Sequence, residues 1–165
     1  MIRRYVYLFI LIISFVSAKA QQDASACRDK LENFNKSSPF PESKAGEYTS
    51  CLEVTLGFFY SIDPAIQKNK ERIERLKSGL LKAKNNLSSG TAGKTDSLNY
   101  KNMEDASAPE IISLTDSSGM LAQQKDKYKA TLKESLNKII VFFHNTNNPD
   151  ETVYRSKLDK LNSGR

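Results

Sequence analysis

The 165-residue chain has no tryptophan, a single histidine and only two cysteines, and these shortages exclude several classes of protein. A catalytic triad would have to use His144, which has no nucleophile motif beside it. One histidine and two cysteines are also a poor ligand set for zinc, and no carboxylate pair is placed for acid–base catalysis. We therefore predict that the protein is not an enzyme and holds neither a metal nor a cofactor.

Long apolar runs are missing except at the N-terminus, where one has the layout of a signal peptide. Two arginines precede 12 uncharged residues (5–16), and Ala18-Lys19-Ala20 follows as a small-x-small cleavage site, with Val16-Ser17-Ala18 as second choice. A membrane-spanning helix needs about 20 apolar residues, so this run is too short for a transmembrane anchor. We predict that residues 1–20 are removed and that the protein is secreted to the extracellular space, or to the periplasm in a bacterium.

The charge of the chain is also smaller than it first looks. The leader carries three of the 25 basic residues and no acid, so the net charge falls from +6 to 22 − 19 = +3 over residues 21–165. Such a weak balance argues against a specific nucleic-acid partner. The remaining basic residues concentrate in 64–87 (seven basic, two acidic) and in 120–145 (five basic, two acidic). Complementarity between packed helices is the simplest interpretation, and a face for anionic surfaces is the alternative.

Two features of the chain depend on the secretory compartment. In an oxidising compartment, Cys27 and Cys51 are expected to form one disulfide, worth roughly 3 kcal/mol for a loop of this length. Two free thiols or an intermolecular bridge are the alternatives. Asn35 and Asn86 each begin an Asn-X-Ser sequon and are candidate N-glycosylation sites in a eukaryotic pathway.

Apolar residues recur at spacings of three and four along most of the chain, which predicts helices. In 64–87 the repeat is a heptad, with Ile66, Ile73, Leu80 and Leu87 seven residues apart, as in a coiled-coil seam. We predict an all-α fold, a single domain over 21–165 that forms a small bundle of four main helices and a short C-terminal one. The five predicted helices span about 25–35, 44–62, 64–87, 120–144 and 150–161.

The segment 88–118 is rich in Ser, Thr, Gly, Asn and Asp, and it is predicted to be a long, flexible polar crossover with one short helical turn near 109–115. Residues 88–95 resemble a phosphate-binding loop. However, the segment begins with Ser88 where that motif requires glycine, and a predicted helix precedes it where the motif requires a strand. The glycines of this stretch are better explained as helix terminators.

The aromatic residues concentrate at Phe58, Phe59, Phe142 and Phe143. Such residues usually fill the core of a bundle, and in a loosely packed bundle they would line an apolar pocket. The leading hypothesis is a secreted, non-enzymatic interaction protein that acts extracellularly on another protein. One alternative is a helical carrier of a small, lipid-like hydrophobic ligand, and the other is a binder of anionic surfaces through the basic helices 64–87 and 120–145. The sequence does not predict the oligomeric state.

Overall fold

The computed structural model describes residues 2–37, 42–88 and 94–164, with side chains from residue 19 onward except at 94 and 95. The described residues form helices and no strand, so the predicted all-α class is confirmed. The α-helices are α1 (Ile2–Lys36), α2 (Ala45–Ser88), α3 (Lys94–Asn145) and α4 (Glu151–Ser163), and a short 3-10 helix (Glu42–Lys44) precedes α2. Part of the predicted leader and most of the 88–95 motif lie outside the described side chains.

The two predicted helices 44–62 and 64–87 form one continuous helix, α2, and Pro64 lies inside it. A proline inside a helix removes one backbone hydrogen bond and costs about 3 kcal/mol, which is why the sequence predicted a new helix there. The side chains on either side of Pro64 favour continuity. Ile62 is almost completely buried and Ile66 is half-buried on the same face, so the apolar stripe crosses the proline without interruption.

The predicted flexible crossover at 88–118 is wrong for its larger part, because residues 94–118 belong to the 52-residue helix α3, with Pro109 inside it. The covered side chains of α3 between residues 94 and 118 include a small polar one as well as large apolar ones. Ser107 is buried, and Met103, Ile111 and Leu114 are half-buried at spacings of three and four. A prediction based only on the spacing of large apolar residues misses a helix in which serine occupies one of the contact positions.

The chain divides into two compact units, one formed by 1–60 with 125–165 and the other by 61–124. The length had suggested a single domain. The first unit contains the principal core, a cluster in which α1, α2, α3 and α4 all take part. Its buried members are Ala24, Leu31, Tyr48, Cys51, Leu52, Leu56, Phe59, Tyr128, Leu132, Leu136, Ile139, Ile140, Phe143, Tyr154 and Leu161.

The second unit is an antiparallel helical hairpin made of an α2 arm (61–88) and an α3 arm (94–124). Three contacts fix its register: Asn69 donates to the Ser118 hydroxyl at 3.2 Å, Arg72 pairs with Glu110 at 2.7 Å, and Gly79 packs beside Met103. Because the positions rise along one arm as they fall along the other, the arms run in opposite directions. Among the described side chains of this hairpin, only Ile62, Ile73 and Ser107 are buried.

Candidate interaction surface and a polar network

The four phenylalanines that sequence reasoning assigned to an apolar pocket do not share one cavity. Phe59 and Phe143 are buried members of the core, and the Phe58 ring packs on Tyr128 at a centroid distance of 5.2 Å. Phe142 alone lines an open groove of about 640 Å³, beside the exposed Val141. These aromatic residues therefore mainly fill the core, which was the simpler of the two interpretations.

The predicted disulfide is not present, although the structure brings the two cysteines together. Cys27 on α1 and Cys51 on α2 are in hydrogen-bond contact, and both are free thiols. Cys51 is only 4% exposed, and burial together with the neighbouring Cys27 raises the pKa of its thiol to about 12. A disulfide forms by attack of a thiolate, so a buried thiol that stays protonated is a poor participant. The contact between the first and second helices was predicted correctly, and the covalent bond was wrong.

Asn35, one of the two sequon residues, lies at the centre of a partly buried polar network. Its side-chain oxygen accepts hydrogen bonds from the hydroxyls of Tyr48 (2.8 Å) and Ser135 (3.0 Å). Its amide nitrogen donates to the backbone carbonyl of Thr131 at 3.4 Å. A glycan would have to be attached to that same nitrogen, which faces α3 in this fold. That nitrogen already has a hydrogen-bond partner in the folded chain, and glycosylation at Asn35 stays a prediction.

Lys138 of α3 completes this network at the C-terminal end of α1. Its ammonium group donates to the backbone carbonyls of Phe34 at 2.6 Å and Asn35 at 2.9 Å, and also to that of Ser37. These carbonyls lie at the C-terminal end of α1, the negative end of its helix dipole, so a cation is favourable there. The sequence showed Lys138 only as one charge of the basic segment 120–145. Nothing local in the sequence points to the end of a helix about a hundred residues earlier.

The basic segments do not form one uninterrupted cationic face. In 120–145, Lys138 caps α1 and the Lys125 ammonium lies 5.5 Å from the centre of the Phe59 ring. In 64–87, Arg72 pairs with Glu110 of the opposite arm. The charge complementarity expected between packed helices is therefore present at the Arg72–Glu110 pair.

The hairpin 61–124 carries an apolar stripe that its two helices cover only in part. Of the predicted heptad residues in the α2 arm, Ile73 is buried, and Ile66, Leu80 and Leu87 are half-buried. On the outer sides of the hairpin, four large apolar side chains are about three-fifths exposed. They are Leu81 (59%), Leu98 (59%), Ile112 (61%) and Met120 (63%).

The two arms of the hairpin carry opposite charge. The α2 arm has seven basic and three acidic residues, and the α3 arm has two basic and five acidic residues. All seven basic side chains of the α2 arm are exposed, as are four of the five acidic ones of the α3 arm, Glu110 being half-buried. We call the surface of 61–124 that carries the partly covered stripe, the exposed apolar residues and the oppositely charged arms the hairpin surface.

Other kinds of site are not seen in the described part of the chain. No group of three or more His, Cys, Asp or Glu side chains there is placed to hold a metal ion. His144 Nδ1 lies 3.2 Å from the Glu151 carboxylate, which connects the end of α3 to the start of α4. Within the described residues, no helix has a stretch both long and apolar enough to cross a membrane. Comparison of the chain with protein-family models, with curated proteins and with solved structures gives no match.

Proposed function

We propose that this protein is a secreted, non-enzymatic interaction protein that binds another extracellular protein through the hairpin surface of 61–124. The observation that supports this proposal is the apolar stripe of the hairpin, which is only partly covered although both arms are formed. The signal-peptide layout of residues 1–20 supports secretion.

The energetics of a two-helix hairpin favour a partner. Helices gain most of their stability in proteins by burying an apolar face, and only three of the hairpin's described side chains are buried. Complete burial of a leucine or isoleucine side chain contributes about 1.5–3 kcal/mol, and the half-buried stripe residues have not gained all of it. A partner that covers the stripe would supply the remainder. Exposed large apolar side chains such as Leu81 and Ile112 are candidate contact residues for that partner.

The proposal is tested by capture of partners from native extracellular fluid with the full-length secreted protein. We expect Leu81→Ser and Ile112→Ser, both on the hairpin surface, to reduce the recovery of a specific partner by about tenfold, because each removes apolar area from the contact. Val153→Ser is the matched control, since Val153 is an exposed apolar residue of α4. Equal recovery with all three variants would show that the hairpin is not the contact surface.

Of the two sequons, we propose that Asn86 alone accepts a glycan when the chain passes through a eukaryotic secretory pathway. Asn86 is exposed near the C-terminal end of α2, whereas the Asn35 amide is hydrogen-bonded to α3. We expect Asn86→Gln to lower the mass of the secreted protein by one glycan in mass spectrometry, and Asn35→Gln to leave the glycan mass unchanged. Loss of a glycan from the Asn35 variant would contradict the assignment.

A further inference from the structure

We propose that Gln21 becomes the N-terminal residue of the secreted chain, and that its side chain then closes on its own α-amino group to form a pyroglutamyl lactam. This inference rests on the secretion proposed above, because it takes residues 1–20 as removed by cleavage after Ala20. It adds a covalent modification site and does not depend on the hairpin surface.

The sequence around the cleavage site brings the two reacting groups into one residue. Ala18-Lys19-Ala20 is the small-x-small site, and Gln21 follows it directly. Cleavage there gives Gln21 a free α-amine in addition to its side-chain carboxamide. Only a glutamine at the first position can join these groups in a five-membered ring. The nitrogen of Gln22 remains in a peptide bond, so Gln22 cannot react in this way.

The structure places the new terminus just outside the packed part of α1. The side chains of residues 19–23 are all exposed. Packing begins immediately afterwards, at Ala24, which is completely buried, and at Ser25, which is in hydrogen-bond contact with Tyr128. Cleavage before Gln21 therefore leaves these core contacts of α1 in place, and the Gln21 carboxamide lies in solvent beside the new α-amine.

The reaction is balanced within this one residue. The neutral α-amine attacks the side-chain carboxamide carbon, so that a bond forms between the backbone nitrogen and Cδ while the bond between Cδ and Nε2 breaks. The proton that the amine loses leaves with Nε2 as ammonia, and no oxidant, reductant or second substrate is needed. The ordinary pKa of an α-amine is about 7.7–8.0, which leaves an appreciable neutral fraction near neutral pH. Ring closure is favoured because both groups belong to the same residue.

A neutral lactam also suits the start of the shortened α1. A free α-ammonium group would add positive charge where the helix dipole is already positive, and the lactam removes that charge. Asp23, in the same turn, then supplies the negative charge that this end of a helix favours. The exposed residues 21–23 would also lack the free α-amine that an aminopeptidase requires.

The experiment measures the mass of the N-terminal peptide of the secreted full-length protein. A brief digestion at low pH releases this peptide while any free α-amine stays protonated and does not cyclise during handling. We expect the peptide to begin at Gln21, to be lighter than its encoded sequence by one molecule of ammonia, and to resist aminopeptidase. Gln21→Asn keeps a carboxamide but would need a strained four-membered ring. This variant should therefore retain the ammonia mass and be shortened by aminopeptidase.

Gln22→Asn is the matched control, because it makes the same change in the next exposed residue and should leave the lactam in place. A peptide that begins at Gln21 with a free α-amine would overturn the inference, as would one that begins at Lys19 after the alternative cleavage site. Both of these results leave secretion and the hairpin surface as proposed. A chain that keeps residues 1–20 would overturn the inference together with the proposed secretion, and partner capture still tests the hairpin separately.

Discussion

Replacement of Asn35 by leucine is expected to lower the free energy of unfolding by about 3 kcal/mol or more, since it leaves buried hydrogen-bonding groups without partners. Asn35 accepts from Tyr48 and Ser135, whose side chains are fully buried, and donates to the Thr131 carbonyl. Leucine has a similar volume and offers none of these bonds. Urea denaturation followed by circular dichroism at 222 nm measures the change.

Asn33→Leu is the matched control, because Asn33 is an exposed residue of α1 two positions earlier. A surface substitution of this kind usually changes stability by no more than about 0.5 kcal/mol. Combining Asn35→Leu with Ser135→Ala should cost less than the sum of the two single changes, since the serine hydroxyl is then no longer left unpaired. Equal destabilisation by Asn33→Leu and Asn35→Leu would contradict the importance of the network.

The folded protein is expected to unfold in alkaline solution as the pH rises from about 9 towards 12, because three buried groups resist deprotonation. Burial, with smaller contributions from neighbouring groups, raises the pKa of Cys51, Tyr48 and Tyr154 to about 12 each. In the unfolded chain these groups titrate near their ordinary values of about 8.5 for cysteine and 10 for tyrosine. Between those values and 12, the folded state therefore binds more protons than the unfolded state, and its stability falls as the pH rises.

Two signals recorded together check this expectation. Helicity by circular dichroism should be lost in the same pH interval in which the tyrosinate absorbance of the buried tyrosines appears. Tyr154→Phe removes one of the three groups, so its transition should move to higher pH than that of the unmodified chain. If all tyrosines ionised near pH 10 while the helices persisted, the buried hydroxyls would not be linked to folding.

The helical class could be predicted from the sequence because the 3–4 spacing of apolar residues is a local signal. Element boundaries were harder to predict, and Pro64 and Ser107 show why. At Pro64 the local backbone preference for a helix start is overcome by packing along a stripe that continues on both sides. At Ser107 a small polar residue occupies a contact position because the α2 arm lies close to it, and no apolar periodicity signals such a position.

The polar core was not predictable, because its members have ordinary roles when taken alone. Asn35 looked like a sequon residue and Lys138 like one charge in a basic helix. Their function depends on a contact between α1 and α3, which lie about a hundred positions apart in the chain. The hairpin surface could be predicted only in part. The heptad repeat of 64–87 predicted the α2 arm, whereas the polar composition of 88–118 gave no indication of the helical α3 arm.

The long separation between α1 and its hydrogen-bonding partners has a consequence for the order of folding. The hairpin contacts join residues 38 and 49 positions apart, whereas the contacts that Asn35 and Lys138 make between α1 and α3 join residues 96 to 104 positions apart. Closing a longer loop costs more entropy, so the hairpin can form while the ends of the chain are still apart. During synthesis, α1 must wait for the segment 131–138 to emerge before its last turn is capped. The first unit is therefore the last to close.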